Sequence, residues 1–147
     1  MSKLSPEIKE FLLFQKLGFV ATVCPDNTPN VSPKGTIIPW KDETLIFADI
    51  RSPQTMTNLQ TNPHIEINVV DPISRKGYRF KGTSIILKDG AEYSEMLQHY
   101  KEIGVQSEIN AIVKVTIDTI QEVTSPLYDI GFSEEEIREK WKKHFSL

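Results

Sequence analysis

Two short polar stretches hold the residues best suited to chemistry, Ser32-Pro33-Lys34-Gly35 and Arg51-Ser52-Pro53-Gln54-Thr55. A lysine and an arginine, each close to a serine, are the groups that grip a phosphate: both stay charged at neutral pH, and the hydroxyls add hydrogen bonds. The second stretch also starts a helix. Leu45-Ile46-Phe47-Ala48 is an apolar run of strand length, and polar residues from Asp49 to Arg51 turn the chain. Ser52 then stands where a helix cap belongs, before a proline suited to the first helical position because no intrahelical N–H bond is needed there. Met56 and Leu59, with Thr55, give this helix an inward face, and Asn62-Pro63 closes it. Free amides at such a helix start, with Arg51 beside them, attract an anion. The same residues also read as a plain strand-turn-helix connection bearing a surface arginine. If the strands carrying Lys34 and Arg51 are neighbours, both cations, Ser32, Ser52 and the helix amides converge on one phosphate. The apolar part of a ligand then lies along Phe47-Ala48-Asp49.

Other chemistry finds less support. His64, His99 and His144 have no metal-ligand spacing, and Cys24, the one cysteine, has no histidine near it in sequence. The dinucleotide, P-loop, hydrolase-elbow and zincin motifs are absent. Arg75, Lys76, Arg79 and Lys81 alternate with Tyr78 and Phe80, the pattern of an RNA-facing strand or of a strand with one solvated face. The formal charge of −3 favours the solvated face and gives no reason to expect a nucleic-acid partner.

The elements that must position these groups follow from pattern. A helix capped at Ser5 and ended at Gly18 precedes a strand at 19–24, a turn at 25–29 and a second arm at 30–38. Pro33 and Gly35 make that arm an edge, a bulge or a ligand-facing strip rather than a central strand. Residues 40–43 connect it to the apolar run. Strands follow at 64–70 and at 78–87, the latter with Gly82 as a bulge, then a helix at 91–103 closed by Gly104 and a long strand at 110–123. Ser133 and Glu136 form a capping box for a last helix over 134–144. Six strands with hairpin-like steps and helices outside them predict an all-β core with flanking helices, a small antiparallel barrel in one domain, 1–147. One cysteine and the lack of a leader or apolar span point to a cytoplasmic protein with no membrane association.

In order and spacing, the segments at 19–35, 45–63 and 77–82, and the long strand from Ala111 followed by Ser125-Pro126-Leu127-Tyr128-Asp129, resemble the pyridoxamine 5′-phosphate oxidase-like FMN-binding split-barrel family. The resemblance implies a six-stranded antiparallel split β-barrel and a homodimer with FMN at the subunit interface. It places Ser32, Pro33, Lys34 and Gly35 along the ribityl phosphate and flavin edge, and Phe47, Ala48 and Asp49 against the isoalloxazine ring. Arg51, Ser52, Gln54, Thr55 and Asn58 fall on the phosphate-binding turn and helix. Gln54 stands where many members carry a lysine or arginine, so phosphate affinity leans on Arg51, Lys34 and the amides. The implied function is an FMN-dependent oxidoreductase passing hydride or electrons between NAD(P)H or a small organic donor and an acceptor. The alternatives are a non-catalytic flavin carrier or sensor, a cofactor-free interaction protein, and an F420- or haem-binding relative, for which His64 and His99 are the candidate ligands.

Overall fold

The computed structural model describes residues 3–147. In chain order the elements are α1 (Pro6–Gln15), β1 (Gly18–Val23), β2 (Pro29–Lys34), β3 (Ile38–Trp40), β4 (Thr44–Asp49), α2 (Pro53–Thr61), β5 (His64–Asp71), β6 (Lys76–Leu87), α3 (Ala91–Glu102), β7 (Ala111–Thr124) and α4 (Glu134–His144), with a short 3₁₀ turn at Pro126–Ile130. The strands form one antiparallel seven-stranded sheet in the order β2-β1-β5-β6-β7-β4-β3.

The expected six-stranded split barrel is therefore corrected on two points. The second arm is not one strand: β2 ends at Lys34, Gly35 to Ile37 cross over, and β3 begins at Ile38. Pro39 hid this three-residue strand, because proline cannot donate to a ladder; β3 tolerates it as the outermost strand of the sheet. The sheet is also not closed. β2 pairs only with β1, and β3 only with β4. Pro29 and Pro33 on one edge and Pro39 on the other remove the N–H groups that a closing ladder would use.

The open sheet is nevertheless strongly curled. Seven flat strands would hold the outer two roughly 29 Å apart at about 4.8 Å per strand. The chain spans from Lys34 to Ile38 in four peptide steps, about 14 Å at full stretch. Both edges therefore meet at the Gly35–Ile37 crossover, and the residues on either side of that seam are brought together.

Burial explains the rest. β4 is buried on both faces, as its unbroken apolar run requires: Leu45 and Phe47 join the main core with Val20, Ile67, Phe80 and Ile117, while Ile46 and Ala48 pack with Met96 and Tyr100 of α3. The bulge falls between Lys81 and Gly82, where an added Cβ would lie 2.3 Å from the Thr116 carbonyl oxygen. α1 starts at Ser5 as expected but ends earlier: Lys16 takes the left-handed position, and Gly18 enters β1. Gly104 is left-handed after α3, and α4 has the full Ser133–Glu136 capping box.

Candidate functional site

Lys34 ends β2 on the same face as Ser32, two residues earlier, and the seam turns its side chain inward. Its ammonium donates to Ser32 Oγ at 3.0 Å and to Ser52 Oγ at 2.5 Å. The residue is only 8% exposed, yet among the described residues no carboxylate lies within ion-pair distance of it. Burial pulls the lysine pKa below its ordinary value, and the nearby charge of Asp49 works in the opposite direction. A buried cation satisfied only by two hydroxyls is held at a cost that an incoming anion would offset.

The other wall is the turn from β4 into α2. Asp49 Oδ1 accepts the Ser52 amide at 3.1 Å, fixing the turn. Ser52 occupies the cap position of α2, but its hydroxyl accepts a hydrogen bond from the Lys34 ammonium and caps nothing, so among the described residues no side chain satisfies the first-turn amides. Arg51 is exposed, and among the described residues it has no hydrogen-bond or ion-pair partner. Between the walls lies a cleft of about 520 Å³ lined by Pro33, Lys34, Gly35, Thr36, Ala48, Ile50, Arg51, Ser52, Glu108 and Asn110.

β2 and β4 are not neighbours in the sheet, so the convergence expected from the sequence arises by curling rather than by strand pairing. Lys34, Pro33, Gly35, Ala48, Arg51 and Ser52 line the cleft, and Ser32 supports Lys34 from within. Phe47 is wholly buried in the core, so its side chain lies away from the cleft. Thr55 and Asn58 are buried under α2, and Gln54 is exposed on it. Gln54 donates to Asn58 Oδ1 at 2.8 Å, and Asn58 in turn donates to Thr22 Oγ1 at 3.0 Å, which ties α2 to β1. Thr36, Glu108 and Asn110 escaped the sequence reading. Thr36 was detectable as the neighbour of Gly35, whereas Glu108 and Asn110 come from the loop before β7 and carry no spacing signal. A second cleft, of about 450 Å³, opens where β1 leaves β5, and its walls include His64, Glu66, Lys81 and Asp118. Its one lysine faces two carboxylates, so it does not gather positive charge. His99 packs edge-to-face on Trp40, and neither His64 nor His99 lines the Lys34 cleft.

The model of the pyridoxamine 5′-phosphate oxidase family matches residues 4–125. The chain belongs to this family. The crystal structure of tagged HupZ from Group A Streptococcus is similar over 83% of this chain and 95% of that chain, at 31% identity and a TM-score of 0.75. An FMN-binding protein from Syntrophomonas wolfei shares the fold at 16% identity, over 80% of this chain and 84% of that one, with a TM-score of 0.69. An F420 reductase does so at 21% identity, over 80% and 98%, with a TM-score of 0.62. No curated protein matches the chain. Among the described residues no helix is long and apolar enough to cross a membrane.

Proposed function

We propose that this member of the pyridoxamine 5′-phosphate oxidase family is an FMN-binding flavoprotein acting in redox chemistry. The observation that carries the reading is Lys34, a buried ammonium with no carboxylate at ion-pair distance among the described residues, facing a cleft that also holds Arg51, unpaired among those residues, and the uncapped start of α2. These groups fit a phosphate monoester: two positive charges, two hydroxyls and backbone donors in one place. In this reading Lys34, Arg51, Ser52 and the first amides of α2 take the FMN phosphate, and the backbone of Ala48 and Gly35 borders the ring. When bound, FMN supplies hydride or electron transfer between NAD(P)H or a small organic donor and an acceptor. The chain's own part is to hold the phosphate, orient the ring and exclude water from one side. A second copy of the chain closes the cleft in a homodimer.

The test is a stoichiometric FMN titration of the purified protein followed by its flavin absorbance. One flavin per chain with micromolar or tighter affinity is expected, and failure to take up FMN at that concentration overturns the reading. Anaerobic addition of NADH or NADPH to the loaded protein then separates enzyme from carrier, since only an enzyme for that donor is bleached at a catalytically useful rate.

A further inference from the structure

Both walls of the cleft are held by one segment that contributes no cation to it, the end of α3 and the loop that follows. Tyr100 is completely buried, and its hydroxyl donates to the Thr36 carbonyl at 2.8 Å. Thr36 belongs to the crossover two residues after Lys34, and its own Oγ1 accepts the Ala48 amide at 2.9 Å. Ten residues beyond Tyr100, Asn110 holds the opposite wall: its side-chain amide donates to the Ile50 carbonyl at 3.1 Å, and its backbone amide to the Asp49 carbonyl at 2.9 Å. The segment between them is short and is fixed at both ends. Gly104 turns it in the left-handed conformation, and Val105 N–H bonds back to the Tyr100 carbonyl at 3.0 Å.

We infer that Tyr100 and Asn110 are positioning residues that set the separation of the Lys34 and Arg51 walls, and so decide whether both cations reach one phosphate. Core packing anchors the crossover only at its far end, through buried Ile37, whereas an added Cβ on Gly35, beside Lys34, meets nothing within 4 Å, so the Lys34 end depends on hydrogen bonds. The Tyr100 ring lies among Met96, Trp40 and Ile112, so removing its hydroxyl alone keeps the packing and deletes only the hold on Thr36. Asn110 is exposed, and shortening its side chain opens no cavity. The Tyr100 hydroxyl and the Asn110 side-chain amide each donate to a wall carbonyl, so each acts through the wall that it grips.

The inference rests on the flavin reading for its ligand but not for its structural part, and two measurements keep them apart. The first is amide hydrogen exchange at Ala48 in ligand-free wild type, Tyr100→Phe and Asn110→Ala. Exchange is expected to be several-fold faster in Tyr100→Phe, because the Thr36 hydroxyl that protects this amide loses its support. An unchanged rate overturns the inference. The second is affinity for FMN and for riboflavin, which lacks the phosphate. Loss of one hydrogen bond that aligns a charge corresponds to about a fivefold weakening of FMN. Riboflavin should change less in both variants, and the double variant should weaken FMN by less than the product of the two single effects, because both residues set one distance. Equal weakening of the two flavins would mark a general loosening and also overturn the inference. If wild type binds neither flavin, the flavin reading falls, and the holding role is decided by Ala48 exchange alone.

Discussion

Lys34 is paid little by its present partners. Two serine hydroxyls satisfy its protons without neutralising its charge, and the residue is more than nine-tenths buried. Replacing such a group by an apolar residue of similar length removes a desolvation penalty, so Lys34→Met should stabilise the ligand-free chain by about 1 kcal/mol in urea unfolding. The same change should weaken FMN at least tenfold and riboflavin much less. The pH dependence has a definite sign. Because the folded-state pKa lies below the ordinary 10.5, the unfolded chain holds this proton more tightly, and the penalty is fully present below the lowered value. It is relieved as pH rises from there towards 10.5, so the advantage of Lys34→Met should shrink over that window and should be absent with FMN bound. Lys34, Arg51, Ser32 and Ser52 could be singled out as anion-binding candidates because of residue type and local adjacency, and the structure brings them together at one cleft. Thr36 and Asn110 were not singled out, because what they contribute is a hydrogen bond to a distant carbonyl.

Helix starts give the comparison at the next scale. Ser52 and Ser133 both precede helices, yet only Ser133 makes the cap bond, accepting from Glu136 N–H at 3.1 Å within a complete capping box. Ser133→Ala should therefore cost about 1 kcal/mol in thermal or urea unfolding. Ser52→Ala should cost less than half of that while weakening FMN, since its hydroxyl serves Lys34. α4 is docked by Ile137, fully buried, by Arg138 against Asp71 at 3.2 Å, and by Glu134 against Lys76 at 3.0 Å. The hydrogen bond from Arg138, and then that from Lys76, hold the Glu134 carboxyl below its ordinary value of 4.5. A depressed carboxylate contributes stability that is present above 4.5 and lost as pH falls through its folded value. Trp141, under the Arg75 guanidinium at 3.5 Å, reports this in a Trp40→Phe background. Its fluorescence should change as pH falls below 4.5, and Glu134→Gln should reduce that change, leaving the part that comes from Glu136, whose carboxyl is held down by the Ser133 cap. Elements specified by neighbours in sequence, such as α4, the Gly82 bulge and β1, were legible at nearly their true limits, whereas the second arm of the hairpin was read through to Ile38 although β2 ends at Lys34. β3 was not legible, because a three-residue strand containing proline is a strand only by virtue of β4 beside it.

At the scale of the whole molecule, closure was the expectation that failed, and the prolines on the two edges explain why the curled sheet leaves its seam to the crossover rather than to a ladder. The consequence reaches the outer surface. Directly opposed residues of β1 and β2 share a face, and the register pairs Phe19 with Pro33 and Ala21 with Val31. Phe19 is 45% exposed and Val31 62%, so this hairpin presents an apolar strip to solvent, as interaction surfaces do. The strip runs to the rim of the cleft, because Pro33 belongs to both. A second copy seated on the strip would thus border the ligand, and occupancy and association would be linked: whatever binds only the dimer favours the dimer by mass action. Sedimentation velocity should show wild type as a dimer at micromolar concentration, with FMN shifting any monomer towards it. Val31→Glu, an exposed position where the folded monomer loses little, should give a monomer whose FMN affinity is reduced at least tenfold. A monomeric Val31→Glu chain that binds FMN as tightly as wild type would place the cofactor wholly within one subunit.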